Sequence, residues 1–83
     1  MEIKDRLVVV TGGGSGIGAA MCRRFAAEGA KAVVVADLNG ANAEAVAAEI
    51  GGTARAVDVS DEAQLVALID ETERDIGPID LFC

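Results

Sequence analysis

Three glycines at fixed spacing follow an apolar run near the start of the chain. Gly12, Gly16 and Gly18 come shortly after residues 7–10, Leu-Val-Val-Val. Gly12 suits a tight turn off a strand, Gly16 lets backbone approach a phosphate, and Gly18 lets the next helix pack closely. The N-terminus of that helix offers free N–H groups and a positive dipole end. The spacing therefore predicts a turn that holds a pyrophosphate, the alternative being a glycine-rich turn with no ligand.

An acidic residue, Asp37, ends the second apolar run. At a strand end beside the glycine turn, a carboxylate can accept hydrogen bonds from both hydroxyls of an adenosine ribose. Its charge would repel a 2′-phosphate, and no Arg or Lys lies within residues 12–17 or just after Asp37 to neutralise one. Asp37 therefore predicts NAD in preference to NADP. The alternative is an Asp that only initiates the turn at residues 38–40.

A second acid, Asp58, ends the third apolar run. From that position its carboxylate could accept a hydrogen bond from an adenine amino group, while the N–H of Val59 meets a ring nitrogen. The alternative is a residue that supports the N-terminus of the following helix. The two roles are compatible, so we predict Asp58 and Val59 as adenine contacts.

Side chains that transfer protons near neutral pH are scarce. The sequence has no His, Tyr or Trp, and its only lysines are Lys4 and Lys31. Its two cysteines, Cys22 and Cys83, match no metal-ligand or redox spacing. We therefore assign no catalytic residue and no metal site. The cysteines are expected to be buried thiols in a reducing compartment, the cytoplasm.

Charge and hydropathy narrow the choice of partners. The net charge of −7 disfavours nucleic acid and anionic membrane surfaces. The composition is 52% hydrophobic with only two aromatic residues, which predicts a folded, aliphatic α/β interior. We find no signal peptide, and no apolar run is long enough to span a bilayer. The expected partner is thus a small molecule, the dinucleotide.

Apolar strands alternate with amphipathic helices along the chain. The strands are apolar at nearly every position, as expected of parallel strands buried on both faces. Strands are predicted at residues 6–10, 31–36, 53–57 and 79–83. Helices are predicted at residues 16–28, at 41–50, and from a cap at Ser60 or Asp61 to Ile76.

Each predicted helix carries an apolar stripe at helical spacing. In the first helix the stripe is Ile17, Met21 and Phe25. The second and third helices present a larger set of inward-facing residues, which are Ala43, Val46, Ala47 and Ile50, then Leu65, Leu68, Ile69, Thr72 and Ile76.

The order βαβαβαβ with short connections predicts a parallel sheet with right-handed crossovers. A strand order of 3-2-1-4 gives a Rossmann-like, doubly wound α/β fold with two helices on one face and the third on the other. One helix would leave valines of the second face exposed, at about 1.5–3 kcal/mol of lost burial each, beside an open fourth strand. We therefore expect a partial domain over residues 1–83 that lacks its C-terminal half and self-associates through the uncovered face or edge.

Residues 11–18, Thr-Gly-Gly-Gly-Ser-Gly-Ile-Gly, resemble the cofactor motif of the short-chain dehydrogenase/reductase family, Thr-Gly-x-x-x-Gly-x-Gly. The family's NADP-preferring members often carry a basic residue where this chain has Ser15 or Leu38. Residues 58–61 resemble its adenine-contacting Asp-Val segment, and residues 77–81 resemble the lead-in to its fourth strand. The resemblance spans the whole chain and implies a site made of Gly12, Ser15, Gly16, Ile17, Gly18, Asp37, Leu38, Asp58 and Val59.

The chain departs from the family where the chemistry would follow. The family's Asn-Ala-Gly motif would begin just after Cys83, and its catalytic Ser and Tyr-x-x-x-Lys pair have no counterpart here. The resemblance implies the NAD-binding portion of an enzyme whose complete form transfers hydride between NAD and an alcohol or carbonyl substrate. This chain alone is predicted to be inactive. The alternative is a non-catalytic nucleotide-binding or self-associating interaction module.

Overall fold

The structure is a computed structural model that describes residues 2–83. Strands and helices alternate strictly, as the apolar pattern predicted. In chain order the elements are β1 (Leu7–Thr11), α1 (Gly16–Ala27), β2 (Ala32–Asp37), α2 (Gly40–Ile50), β3 (Thr53–Ala56), α3 (Glu62–Asp75) and β4 (Leu81–Phe82).

The four strands form one parallel sheet in the order β3-β2-β1-β4. This confirms the predicted partial Rossmann-like fold and its strand order. Thr11 pairs with Ala36, and Asp37 pairs with Ala56, so β1, β2 and β3 end at the same edge of the sheet. The loops that follow these strands are consequently brought together at that edge.

The fourth strand is shorter than predicted, because a side chain takes the place of main-chain pairing at its start. Asp80 Oδ2 accepts a hydrogen bond from Leu7 N at 2.8 Å, while Asp80 N donates to Leu7 O at 2.9 Å. Beyond the strand the ladder continues: Cys83 N donates to Val9 O, and Thr11 N donates to Cys83 O, each at 2.8 Å. Asp80 therefore anchors β4 beside the start of β1.

Helices α1 and α2 cover one face of the sheet. Their buried side chains Ala19, Cys22, Ala43, Val46 and Ala47 pack on valines of β1 and β2. The stripe predicted for α2 is confirmed. The stripe predicted for α1 is only partly right: Phe25 packs against this cluster, but Ile17 is 82% exposed, and the fully buried residues of the helix are the small Ala19 and Cys22.

Helix α3 covers the other face, and it does so more completely than the sequence suggested. Val9 and Val34 are 0% and 1% exposed, in a cluster with Leu68. The expectation of exposed valines on this face is therefore wrong, because residues before and after α3 also pack there, among them Ile76 and Ile79. The large hydrophobic residues of 2–83 that are exposed on this side are Val66 of α3 and Phe82 of the edge strand.

Cap residues bound α2 and α3. Asp61, one of the two predicted caps of α3, accepts hydrogen bonds from Ala63 N and Gln64 N. Asn39 caps α2 by accepting from Asn42 N. Gly51, which ends α2, has the left-handed conformation that glycine adopts at no steric cost. Among residues 2–83, no helix is long and apolar enough to cross a membrane.

Candidate cofactor site

The loop between β1 and α1 has a backbone that requires glycine at two positions. Gly12 has φ of +67° and Gly16 has φ of +56°, a region in which a side chain is strained. A Cβ at either position would meet no atom of the chain within 4 Å. These glycines therefore serve the turn itself and leave its outer side open for a ligand.

Gly18 serves close packing, although its partner is the loop and not the strand. A Cβ at Gly18 would overlap the carbonyl of Gly12 and lie 3.0 Å from Cα of Gly13. The first turn of α1 therefore folds directly against the start of the loop. This close approach fixes where the helix N-terminus points.

The loop is tied to both neighbouring strands by residues that received no separate role in the sequence-based interpretation. Thr11 donates through both N and Oγ1 to Cys83 O, each at 2.8 Å, which joins the loop to the end of β4. Gly13 N donates to Ala36 O at 3.0 Å, which joins it to β2. Thr11 and Gly13 thus hold the loop in place. The spacing of the glycines alone did not predict this role.

Beneath the loop lies a thiol that packs and does not react. Cys22 is fully buried, and its Sγ lies 3.9 Å from Gly13 O. Burial raises the pKa of the Cys22 thiol, so it stays protonated near neutral pH. Cys83 is half-buried at the end of β4. Among residues 2–83 no three His, Cys, Asp or Glu side chains are grouped as a metal site would require.

The N-terminus of α1 has backbone N–H groups that are free to bind an anion. Ser15 is the N-cap residue in extended conformation, but its side chain caps no N–H of the described chain. The first helical hydrogen bond is donated by Ala19 N to Ser15 O at 3.2 Å, so the N–H groups of Gly16, Ile17 and Gly18 have no partner within the helix. The first turn also contains no acidic residue. These three donors and the helix dipole suit a phosphate.

Asp37 lies in contact with the glycine loop. Its Oδ2 accepts a hydrogen bond from Gly14 N at 2.9 Å, and its Oδ1 accepts one from Asn39 N at 2.9 Å. The second bond is the turn-initiating role weighed as an alternative, and it coexists with a position beside the loop. Each carboxylate oxygen has a further lone pair with which it can accept from a ribose hydroxyl.

Asp58 and Val59 follow β3, which is joined to the end of β2 by the hydrogen bond from Val57 N to Asp37 O at 2.9 Å. Ser60 donates to Asp58 Oδ1 through its Oγ at 2.6 Å and its N at 3.0 Å. Both bonds lower the pKa of Asp58, and the bond from the hydroxyl contributes more than the bond from the backbone. Asp58 thus organises the turn before α3, which was its alternative role, and it stays ionised.

Exposed apolar side chains mark the same edge of the sheet. Of the five large hydrophobic residues that are exposed among residues 2–83, three are the predicted site residues Ile17 at 82%, Leu38 at 74% and Val59 at 49%. Each follows a different strand, β1, β2 or β3, at its carboxyl end. Exposed apolar groups clustered beside polar ones are typical of ligand-binding surfaces.

A cavity of about 130 Å³ lies between β3 and α3, and it borders the turn at Asp58 because Gln64, one of its lining residues, accepts a hydrogen bond from Asp58 N. It is lined by Arg55, Gln64 and Glu71 over an apolar floor that includes Leu68. Arg55 Nε is buried there with no hydrogen-bond partner in the described chain, so ordered water is expected to fill the space. Side chains of opposite charge, Arg55 and Glu71, line this cavity. None of the predicted site residues lines it.

The fold and the edge define a class of protein: a Rossmann-like α/β unit with a glycine loop, a free helix N-terminus and an acid at the end of its second strand. The family model described as short chain dehydrogenase matches residues 6–83. The chain therefore belongs to the short chain dehydrogenase family.

Individual relatives agree with this family. The chain is 41% identical to galactitol 2-dehydrogenase of Agrobacterium fabrum and 45% identical to levodione reductase of Leifsonia aquatica, over 99% and 94% of its length. Among solved structures it is similar to a hydroxysteroid dehydrogenase from Escherichia coli, with a TM-score of 0.91 and 32% identity over 98% of the chain. The chain spans 32% of each of the two relatives and 35% of that structure, about a third of their length.

Proposed function

We propose that this chain is the NAD-binding portion of a short-chain dehydrogenase/reductase. In complete form such a protein would transfer a hydride between NAD and an alcohol or carbonyl substrate. The names of two relatives, a dehydrogenase and a reductase, describe the two directions of that transfer. Within this chain the proposal assigns cofactor binding alone, since the sequence has no Tyr and we assign no catalytic residue.

One contact supports the proposal above all others, the 2.9 Å hydrogen bond from Gly14 N to Asp37 Oδ2. It joins the phosphate-binding loop to the acid at the end of β2. A ligand with a pyrophosphate next to a ribose could therefore reach both groups at once. Such a ligand is a dinucleotide, and its nicotinamide would supply the hydride chemistry.

In this proposal the N–H groups at the start of α1 hold the pyrophosphate, and Gly12 and Gly16 leave room for it. Asp37 accepts hydrogen bonds from the adenosine ribose, and Leu38 packs beside it. Asp58 and Val59 contact the adenine. Ser15 and Ile17 line the approach at the helix N-terminus. A cytoplasmic location remains a prediction from the sequence.

The preference for NAD rests on the charge of Asp37. Two like charges about 4 Å apart repel each other by about 1 kcal/mol in bulk water and about 4 kcal/mol near a protein surface. A 2′-phosphate beside Asp37 would therefore weaken NADP binding about tenfold or more relative to NAD.

Calorimetric titration with NAD and NADP, using wild type and Asp37→Ala, tests the proposal. The wild type should prefer NAD, and the Asp37→Ala variant should lose NAD affinity far more than NADP affinity. Glu44→Ala, on the exposed side of α2, removes an equal charge away from the site and serves as the control. Equal losses for both dinucleotides would refute the selective role of Asp37, and no binding by the wild type would refute the proposal.

A second candidate function is a self-associating interaction module. The observation that favours it is Phe82, which is 41% exposed on the edge strand β4. An intact mass of 8.4 kDa for the purified protein, with dimers or larger species in sedimentation velocity, would support this candidate. A monomer that binds no hydrophobic dye would exclude it.

A further inference from the structure

Two backbone N–H groups converge on the carboxylate of Asp37 from different parts of the chain. Gly14 N, in the loop after β1, donates to Oδ2, and Asn39 N, in the turn after β2, donates to Oδ1, both at 2.9 Å. Since each oxygen has its own donor, the carboxylate cannot rotate without losing a hydrogen bond to a charged acceptor. The chain itself therefore fixes the orientation of Asp37.

This arrangement depends on the missing side chain of Gly14. A Cβ there would lie 2.9 Å from Asp37 Oδ2, 2.8 Å from Asn42 Cβ and 2.9 Å from Ala43 N. Real Cβ atoms essentially never approach that closely. Asn42 and Ala43 belong to the first turn of α2, whose backbone cannot yield easily. The carboxylate, as the outer end of a side chain, is the group that yields most easily, whereas the contacts to Asn42 and Ala43 are relieved only by a small separation of the loop from α2.

We propose that Gly14 is a specificity-determining residue of the cofactor site, because its N–H and its lack of a Cβ hold the Asp37 carboxylate in the orientation that selects NAD. This inference rests on the proposed function and deepens it. The fixed carboxylate directs its remaining lone pairs to the ribose hydroxyls. It also occupies both N–H groups, which are then withheld from the 2′-phosphate of NADP.

The inference predicts more than the loss of a repelling charge when Asp37 is removed. The N–H groups of Gly14 and Asn39 would then be free to donate to a phosphate oxygen. NADP affinity should consequently rise in Asp37→Ala by more than the loss of repulsion alone provides. The rise should be smaller in Gly14→Ala/Asp37→Ala, which also lacks the repelling charge but whose added Cβ fills the vacated space.

The first test is Gly14→Ala, titrated calorimetrically with NAD and NADP. Displacing the carboxylate should weaken NAD about tenfold, which corresponds to the loss of one hydrogen bond to a charged group, while NADP changes about threefold or less. The preference for NAD over NADP, expressed as the ratio of the two affinities, therefore decreases. The control is Gly51→Ala at the far end of α2, where φ is +69° and no atom lies within 4 Å of the added Cβ. Its strain comes from the positive φ alone and lies away from the loop, so this variant should keep the wild-type ratio of NAD affinity to NADP affinity.

A second pair of variants removes the other donor without adding a side chain to the loop. Asn39→Pro and Asn39→Ala both lose the side-chain cap of α2, but only proline lacks the N–H. The φ of −88° at Asn39 is close to what proline adopts. The proline variant should reduce the ratio of NAD affinity to NADP affinity about as much as Gly14→Ala does. The alanine variant should keep the ratio of the wild type.

The outcomes separate this inference from the proposed function. A wild type that prefers NAD, together with Gly14→Ala and Asn39→Pro variants of unchanged ratio, would overturn the inference and leave the proposed function standing. A wild type that binds neither dinucleotide overturns both. Circular dichroism shows which variants fold, and if Gly14→Ala does not, the comparison at residue 39 decides.

Discussion

At the residue scale, the two acids at the strand ends are held in different ways. Asp37 uses both carboxylate oxygens for backbone N–H groups, whereas Ser60 donates both of its hydrogen bonds to Oδ1 of Asp58. No hydrogen bond within residues 2–83 reaches Oδ2 of Asp58, so this oxygen can accept one from an adenine amino group. Both carboxylate oxygens of Asp37 therefore accept hydrogen bonds within the described residues, whereas at Asp58 only Oδ1 does.

The bond from the Ser60 hydroxyl has a measurable effect on titration. In the folded protein the pKa of Asp58 lies below its ordinary value of 3.8, chiefly because of that bond. The stabilisation from Asp58 is therefore complete above pH 3.8 and is lost as the pH falls through the lower folded pKa.

Ser60→Ala should raise the pKa of Asp58 towards 3.8 but not fully, because the backbone N–H of residue 60 still donates. NMR titration of the side-chain carboxyl carbon measures this pKa. Ser60→Thr keeps the hydroxyl and is the matched control, with a pKa close to that of the wild type. An unchanged pKa in the alanine variant would show that the hydroxyl does not stabilise the ionised form.

The sequence predicted which acids lie at the strand ends but not how they are held. For Asp37 it offered a ribose contact or a turn, and the structure shows the turn bond together with a bond to Gly14. That second bond was unpredictable because Gly14 occupies a variable position of the motif. Its role depends on loop dihedrals and on how closely α2 approaches, neither of which is encoded locally.

At the element scale, the position of α1 is set by glycine and other small residues. Gly18 has no space for a Cβ beside the Gly12 carbonyl, and only Ala19 and Cys22 of the helix are fully buried. A helix that approaches a loop this closely cannot present large side chains at the contact. Its N-terminus is thereby held beside the end of β2.

Gly18→Ala should destabilise the fold by about 1–3 kcal/mol, because the added Cβ overlaps backbone that must shift. Helix propensity alone would favour alanine by about 1 kcal/mol, so a loss identifies the overlap as the cause. Urea unfolding followed by circular dichroism measures the change.

The matched control for Gly18→Ala is Gly40→Ala at the start of α2, where the nearest atom to an added Cβ is Ala56 Cβ at 3.1 Å. Ala56 ends the edge strand β3, so a backbone shift of a few tenths of an ångström relieves this contact and the change should be smaller. Stability gained in Gly18→Ala would contradict the close contact between α1 and the loop.

Periodicity predicted the existence, order and approximate limits of every element, since buried parallel strands and amphipathic helices have distinct patterns. It was right about Phe25 but wrong about the start of the inner face of α1. The stripe Ile17, Met21, Phe25 is the more apolar by size, but Ile17 is exposed at the helix start and Ala19 and Cys22 face the sheet. Steric fit against the glycine loop outweighed hydrophobic size, and a periodic pattern carries no information on such a fit.

At the scale of the whole molecule, the sheet is well covered over β1 and β2 and open at β4. The side chain of Phe82 lies on the α3 side, because it pairs with Val9, which belongs to the α3-side cluster. The expectation of a broad uncovered face followed from counting helices. It neglected the chain on either side of α3, which packs Val57, Ile76 and Ile79 against the same face.

The molecule therefore presents two distinct surfaces. One is the carboxyl edge of β1, β2 and β3, where the loop, the acids and the exposed apolar residues meet. The other is the β4 edge with Phe82. In our proposal the first surface binds the cofactor.

The most direct test of the central claim is an amide NMR titration of the ¹⁵N-labelled protein with NAD. The N–H groups of Gly16, Ile17 and Gly18 should shift most, together with those of Leu38 and Val59, and NADP should produce the same shifts only at higher concentration. Amides in the last turn of α3, such as those of Arg74 and Asp75, should keep their chemical shifts. Shifts confined to that turn, or no saturable shift at the start of α1, would contradict a cofactor site at this edge.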